Sequence, residues 1–310
     1  MVLRIHFTGE DLARVRLAAR PDALWETVLS LHRLRDRRGG RTYGDWRDRA
    51  RAGWAGGGDG RRLLRAVVPP RGYFPDFLTP EEGAVGWEEG LAAVRGTPDG
   101  RVGAELAVLG GEVDVPLAGL VDALVDYHRA VVAPMWPHLH ARVEADRAAR
   151  GRALLDGGAD ALLASLPPGL RWHSPVLEAD YPVEREVYLQ GRGLRLQPSF
   201  FCQGAPVMLY DPGLPPVLVY PVAHAPGPPS ERAGASLGRL VGSTRAAVLR
   251  AIDHGCTTSE LARRAGVSLA SASQHAGVLR EAGLVVTLRH GSAVLHSLTP
   301  LGTALLRGNA

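Results

Sequence analysis

Apolar residues recur at helical spacing in two stretches of the first half of the chain: Leu24, Val28, Leu31 and Leu34, then Leu117, Leu120, Val121, Leu124 and Val125, followed by Val131 and Val132. Residues three and four apart share one side of a helix, so both stretches predict helices with one buried face. Pro134 and Pro137 must break or kink the second, because proline lacks an amide donor and crowds the turn before it. From about Trp172 the period changes. Val187 to Leu189, Leu194 to Leu196, Val207 to Tyr210 and Val217 to Tyr220 are short apolar runs separated by GRG, QGAP and DPGLPP, a pattern of antiparallel strands joined by turns. Leu237, Leu240, Val241, Val248, Leu249 and Ile252 return to the helical period and predict a helix stopping near Gly255.

The residues that follow carry explicit start and stop chemistry. Thr257-Thr258-Ser259-Glu260 has the capping-box spacing and opens a short helix with Leu261, Ala262 and Ala265 inward, ending at Gly266. Val267 and Ser268 form the turn and a new N-cap for a third helix over 269–282. Here Ala272, Ala276 and Leu279 follow the buried spacing, while Ala270, Ser271, Ser273 and Gln274 form the opposite, short and polar face. Such a face suits entry into a groove: Ser and Gln can bond base edges or phosphates, and small residues let the backbone approach. Val285 to Arg289, a His290-Gly291 turn and Ser292 to Leu298 predict a two-stranded wing. Thr299-Pro300 then caps a final helix bearing Leu301, Ala304 and Leu305.

The sequence as a whole is α+β: a helix-rich N-terminal domain with antiparallel strands at 1–234, then a winged helix-turn-helix at 235–310, with a Pro/Gly-rich linker at about 221–234. Charge is unevenly placed. From Arg33 to Arg71 there are 12 Arg against Asp36, Asp45, Asp48 and Asp59, or 12 − 4 = +8; from Asp76 to Asp126, 11 acids face Arg95 and Arg101, or 2 − 11 = −9. A free basic patch would point to nucleic acid, but an adjacent acidic mate favours two blocks that face one another within the fold or across a dimer. The segment 235–310 holds eight Arg against Asp253, Glu260 and Glu281, so 8 − 3 = +5 of the net +4 charge sits there and the remainder carries −1.

Hydrophobic residues make up 45% and charged residues 22% of the 310, which excludes a disordered or disulfide-held chain. All 36 basic residues are arginine, a coding bias expected of a GC-rich bacterial genome. No apolar run has membrane length, Glu10 and Asp11 interrupt any signal-peptide core, and two lone cysteines fit a reducing compartment, so a cytoplasmic protein is expected.

ELARRAGVSLASASQHAGVLREAGLV followed by RHGSAVLHSLT resembles the winged helix-turn-helix of the ArsR/SmtB transcriptional regulators over about 65 residues. The long N-terminal region is similar to that of larger actinobacterial members. The resemblance implies a cytoplasmic homodimer, not an enzyme, that binds a double-stranded inverted-repeat operator, usually as a repressor released by a ligand. The residues placed at DNA are Ser268, Ala270, Ser271, Ser273, Gln274, His275, Arg280, Arg289, His290 and Gly291. Two departures stand out: Ala276 and Gly277 replace a commoner Leu and a polar or basic residue, and Thr257 and Ser259 stand where metal-sensing members place cysteines. No metal and no cofactor are therefore expected.

Other signals are weaker. Gly234-Ala235-Ser236-Leu237-Gly238 matches the GxSxG nucleophile elbow but follows a proline-rich segment instead of a strand. Trp136, His138, His140 and Glu144 lack a repeated ligand spacing. Cys256 beside a helix start could be a redox switch or a buried apolar residue. Trp136, Trp172, Phe200, Phe201 and Tyr210, near the change of period, suggest a pocket for a small organic effector. The rival reading is a ligand-binding or enzymatic N-terminal domain whose winged helix serves only dimerisation.

Overall fold

Apolar side chains collect into three clusters in the computed structural model, which describes residues 1–36, 40–54, 58–110, 115–223, 237–252, 256–290 and 293–307. Two clusters lie in one compact unit, Met1–His224, and the third in another, Ala225–Ala310.

The first unit begins with strand β1 (Val2–His6), a short helix α1 (Gly9–Ala13) and strand β2 (Arg16–Leu17). Helix α2 (Ala23–Arg35) follows, capped by Asp22, whose Oδ1 accepts from the amides of Leu24 (3.0 Å) and Trp25 (3.2 Å). The apolar period predicts one buried face here. The structure buries every side of its first three turns, Glu26, Thr27, Ser30, His32 and Arg33 included, because α3 (Gly40–Gly53), α4 (Gly58–Val67), α5 (Trp87–Arg95), α6 (Asp99–Ala107) and α7 (Leu117–Tyr127) supply side chains to the same core. Beyond α7 the chain stays helical through a π-helical turn (His128–Val132) and a 3₁₀ turn (Ala133–Met135) into α8 (Trp136–Ala164). Pro134 and Pro137 bend this course without ending it, since each lies in a first turn where no amide donor is needed. Within α8, Gly157 and Gly158 leave helical geometry and kink it.

Six strands complete the unit: β3 (Leu170–His173), β4 (Val176–Asp180), β5 (Arg185–Tyr188), β6 (Arg195–Ser199), β7 (Val207–Met208) and β8 (Val217–Pro221). They form two sheets, ordered β3-β4-β1-β5 and β2-β6-β8-β7. Three pairings are parallel, β1–β5, β2–β6 and β6–β8; among the runs for which the turn-rich sequence suggests antiparallel neighbours, β7–β8 follows that expectation and β6–β8 departs from it. The apolar run at Val207 to Tyr210 yields only two strand residues. The amides of Tyr210 and Asp211 donate instead to the carboxylate of Asp76, at 2.9 and 2.7 Å.

The basic and acidic blocks do not pair with each other in the described residues. Ion pairs run inside each block: Asp36 with Arg33 and Arg71, Asp48 with Arg51, Asp59 with Arg62, and Glu105 with Arg101.

Asp11 joins α1 to the turn after β5. Its carboxylate accepts from the Thr8 amide (2.8 Å), the Thr8 hydroxyl (2.7 Å) and the Gly193 amide (2.9 Å). Gly193 sits at φ +73°, and a Cβ there would lie 2.5 Å from the Arg14 carbonyl oxygen. Gly193→Ala is expected to lower stability by about 2–4 kcal/mol in urea unfolding, combining left-handed strain with a backbone clash. A loss under about 0.5 kcal/mol would show that this turn yields freely.

Candidate nucleic-acid interface

The described part of the second unit begins with a helical segment at 237–241 and α9 (Ser243–Ala251). One helix is expected here; Gly242, at φ +88°, divides it, and Leu240 is left largely exposed. Residues 253–255, where the helix was expected to stop, lie outside those described.

Strand β9 (Cys256–Thr257) leads directly into α10 (Thr258–Ala265). Thr257 caps α10 by accepting from the Glu260 amide (3.3 Å). Glu260 makes the capping box only in half, because its carboxylate binds Arg264. Gly266, in the left-handed conformation at φ +67°, ends α10, and Ser268 starts α11 (Leu269–Glu281) by accepting from the Ser271 amide at 3.2 Å. Ala272, Ala276 and Leu279 are buried together with Ala246, Val248, Leu249 and Leu261, which fixes the rotation of α11 about its axis.

That rotation exposes the opposite side. Ala270, Ser273 and Gln274 are exposed, and with the half-buried Gly277 they stand at positions i, i+3, i+4 and i+7, one stripe of the helix. Arg280 is exposed beside the stripe's C-terminal end, next to the exposed Glu281. Ser268 is exposed but its hydroxyl is engaged in the cap; Ser271 and His275 are half-buried at the margin. A Cβ on Gly277 would meet nothing within 4 Å, so this departure from the family pattern leaves the stripe shallow without a packing requirement.

The wing consists of β10 (Val285–His290) and β11 (Ala293–Leu298), paired antiparallel. β9 adds a third strand to it, pairing Leu295 with Thr257 and His296 with Cys256. The side chains of Arg289 and His290, and Gly291 altogether, lie outside the described residues. The final helix α12 (Pro300–Arg307) is capped by Thr299, which accepts from the Gly302 amide (3.0 Å). Leu301 is exposed, and Leu305 packs on the core.

His296 has no counterpart among the sequence-derived site residues, yet it ties the reading helix pair to the wing. Its Nε2 lies 3.0 Å from Thr258 Oγ1 and its Nδ1 3.1 Å from Thr287 Oγ1. Burial first, and the Arg280 charge second, hold the ring below the usual histidine range. One side chain thus fixes the angle between α10 and β10. Thr287 is its direct partner across the wing, but no local pattern marks the contact to Thr258, 38 residues away. Cys256 is buried and its thiol is pushed up by burial, the condition of a packing residue and not of a reactive thiolate.

In the first unit the five aromatic candidates do not converge. Phe200 and Phe201 are core, packed with Tyr43 and Trp46; Trp136 packs at that cluster's edge; Trp172 belongs to the other cluster and donates to Asp160 (2.9 Å); Tyr210 is exposed against Tyr73. His138 lies edge-on to Phe200, and Glu144 pairs with Arg147. No group of three ligating side chains among the described residues could hold a metal ion. Most of the GxSxG string, 234–236, lies outside the described residues. No helix among the described residues is long and apolar enough to cross a membrane.

A family model described as a helix-turn-helix domain matches residues 243–287, from the start of α9 into β10. No curated protein and no solved structure matches the chain. With the wing in place behind the matched helices, the C-terminal unit is a winged helix-turn-helix of the kind carried by DNA-binding transcription regulators.

Proposed function

We propose that the chain is a bacterial repressor of the ArsR type: a cytoplasmic, non-enzymatic homodimer that binds an inverted-repeat operator and is released when the first unit takes up a small organic ligand. The observation that carries the DNA reading is the stripe of Ala270, Ser273, Gln274 and Gly277 on α11, held outward by burial of Ala272, Ala276 and Leu279. A face this small admits the helix backbone to a major groove, with Ser273 and Gln274 at base edges and Arg280 at phosphate. The domain boundary at 234 and 235 belongs to the same reading, with the first residues as a sensor and dimerisation domain.

Selection from random duplexes with the full chain tests it. An enriched inverted repeat with half-sites one or two helical turns apart is expected. Arg280→Ala weakens binding to all sequences and flattens the salt dependence by about one counterion. Gln274→Ala instead changes the order of preferred sequences, costing roughly 1–3 kcal/mol on the best site. A pool with no enriched motif would overturn the reading.

A further inference from the structure

A cleft of about 330 Å³ opens between α5 and the bend that joins α7 to α8, lined by Trp87, Glu88, Leu91, Arg95, Val125, His128, Arg129 and Ala133. Its volume lies at the small end of the roughly 300–1,000 Å³ usual for ligand sites. The π-helical turn His128–Val132 forms one wall, a rare conformation that recurs where a helix serves a function.

The polar groups here have defined capacities. The Thr27 hydroxyl donates to the Ala23 carbonyl oxygen (2.6 Å), so it can only accept from His128 Nδ1, 2.9 Å away. His128 is thereby held as the tautomer with Nδ1 protonated, and burial keeps the ring neutral by lowering its pKa to about 4. Its remaining nitrogen, Nε2, is an acceptor. The ring is stacked on Trp87, with centroids 4.2 Å apart and planes at 28°, which gives the cleft a rigid aromatic side. Two exposed cations border it. Arg95 makes no ion pair among the described residues, and Arg129 has only a loose one with Asp126 at 3.7 Å, both partners largely exposed. Glu88 is the one carboxylate in the lining, and Asp126 stands beside Arg129 outside it.

We propose that this cleft binds a small aromatic carboxylate whose ring carries an O–H or N–H donor: the ring against Trp87, Leu91 and Val125, the donor on His128 Nε2, the carboxylate between Arg95 and Arg129. This gives the sensor reading a site and a ligand class, and it rests on that reading for its regulatory meaning alone. Arginine supplies the planar two-point contact that a carboxylate takes, and Trp87 supplies most of the apolar area.

Titration calorimetry of the full chain with 4-hydroxybenzoate tests the site, with benzoate lacking the donor and methyl 4-hydroxybenzoate lacking the charge. Saturable binding with a Kd on the order of 1 mM or tighter is expected, each control binding about fivefold or more weakly. The double variant Arg95→Gln, Arg129→Gln, at exposed positions that leave folding intact, weakens 4-hydroxybenzoate about tenfold or more. His128→Phe retains the ring against Trp87 and brings 4-hydroxybenzoate and benzoate to equal affinity. No saturable binding of 4-hydroxybenzoate, or binding that the double arginine variant leaves unchanged, overturns the proposal. If the chain still selects an operator in that case, the DNA reading stands and the site alone fails; if 4-hydroxybenzoate binds at the cleft but leaves operator affinity unchanged, the site stands and ligand release fails.

Discussion

The double variant Ser273→Asp, Gln274→Glu loses DNA binding by about a hundredfold or more while its thermal unfolding matches that of the parent chain. Both side chains are exposed, and neither makes a hydrogen bond with another described residue, so the substitutions remove nothing that holds the unit together. The core side of α11 is untouched, because Ala272, Ala276 and Leu279 lie on the far side of the helix. Two carboxylates near the middle of the presented face then meet the phosphates of the groove, where like charges and lost base contacts each cost several-fold. Fluorescence anisotropy on a selected operator at two salt concentrations checks this. Retention of parent-like affinity would show that α11 is not the element in the groove, and would leave the winged helix to serve association between chains.

The C-terminal unit was legible from Thr257 onward because its helix boundaries there are written in local chemistry. Thr257, Ser268 and Thr299 each set a cap by a contact three residues on, Gly266 by one four residues back, and a helix bounded by caps needs only its apolar period to show which side is buried. Gly242 escaped that logic, since an isolated glycine within an apolar period is as compatible with a weak helix as with a left-handed break. The first unit was legible in helices α2 and α7 and in the β7–β8 hairpin, and not in the order of its sheets. β1 lies between β4 and β5, pairing Leu3 with Ala179 and Arg185, and no neighbouring residue reports so distant a partner. Parallel pairs such as β6 and β8 need no tight turn between them, so the turn signal at QGAP pointed to a hairpin that does not form, whereas DPGLPP joins the antiparallel pair β7 and β8. Among the described residues the charge blocks do not meet within the fold, because Asp36, Asp48 and Asp59 find their arginines within one or two turns or on a neighbouring segment of the same block, which leaves pairing across a dimer as the form this expectation takes. His128 and Trp87, 41 residues apart by number, meet only because α5 packs against α7.

Glu26→Ala destabilises the first unit by about 3–5 kcal/mol, because Glu26 is the acceptor on which the turn after β6 is built. It is fully buried, and its carboxylate accepts from the amides of Phe200 (2.8 Å) and Phe201 (3.0 Å) and from the Ser199 hydroxyl (3.1 Å). Alanine leaves these donors in a dry core without partners. Burial also raises the group: Glu26 moves from 4.5 to about 7, and Asp22 from 3.8 to about 6. In the window between those values the folded chain keeps protons that the unfolded chain has released, so both groups make stability fall as pH rises. His32 and His128 run the other way. Burial lowers each from 6.5 to about 4, so the unfolded chain binds the protons there and their contribution rises with pH over about 4–6.5. The opposed slopes flatten the stability of the parent chain across this range. Glu26→Gln removes one falling contribution, so the variant's stability should climb with pH more steeply than the parent's, by about 1 kcal/mol per pH unit between pH 5 and 6.5. Urea unfolding of both chains at pH 5, 5.8 and 6.5 measures the difference directly. Parallel pH profiles would mean that Glu26 is ionised throughout, with its three donors outweighing the cost of burying the charge.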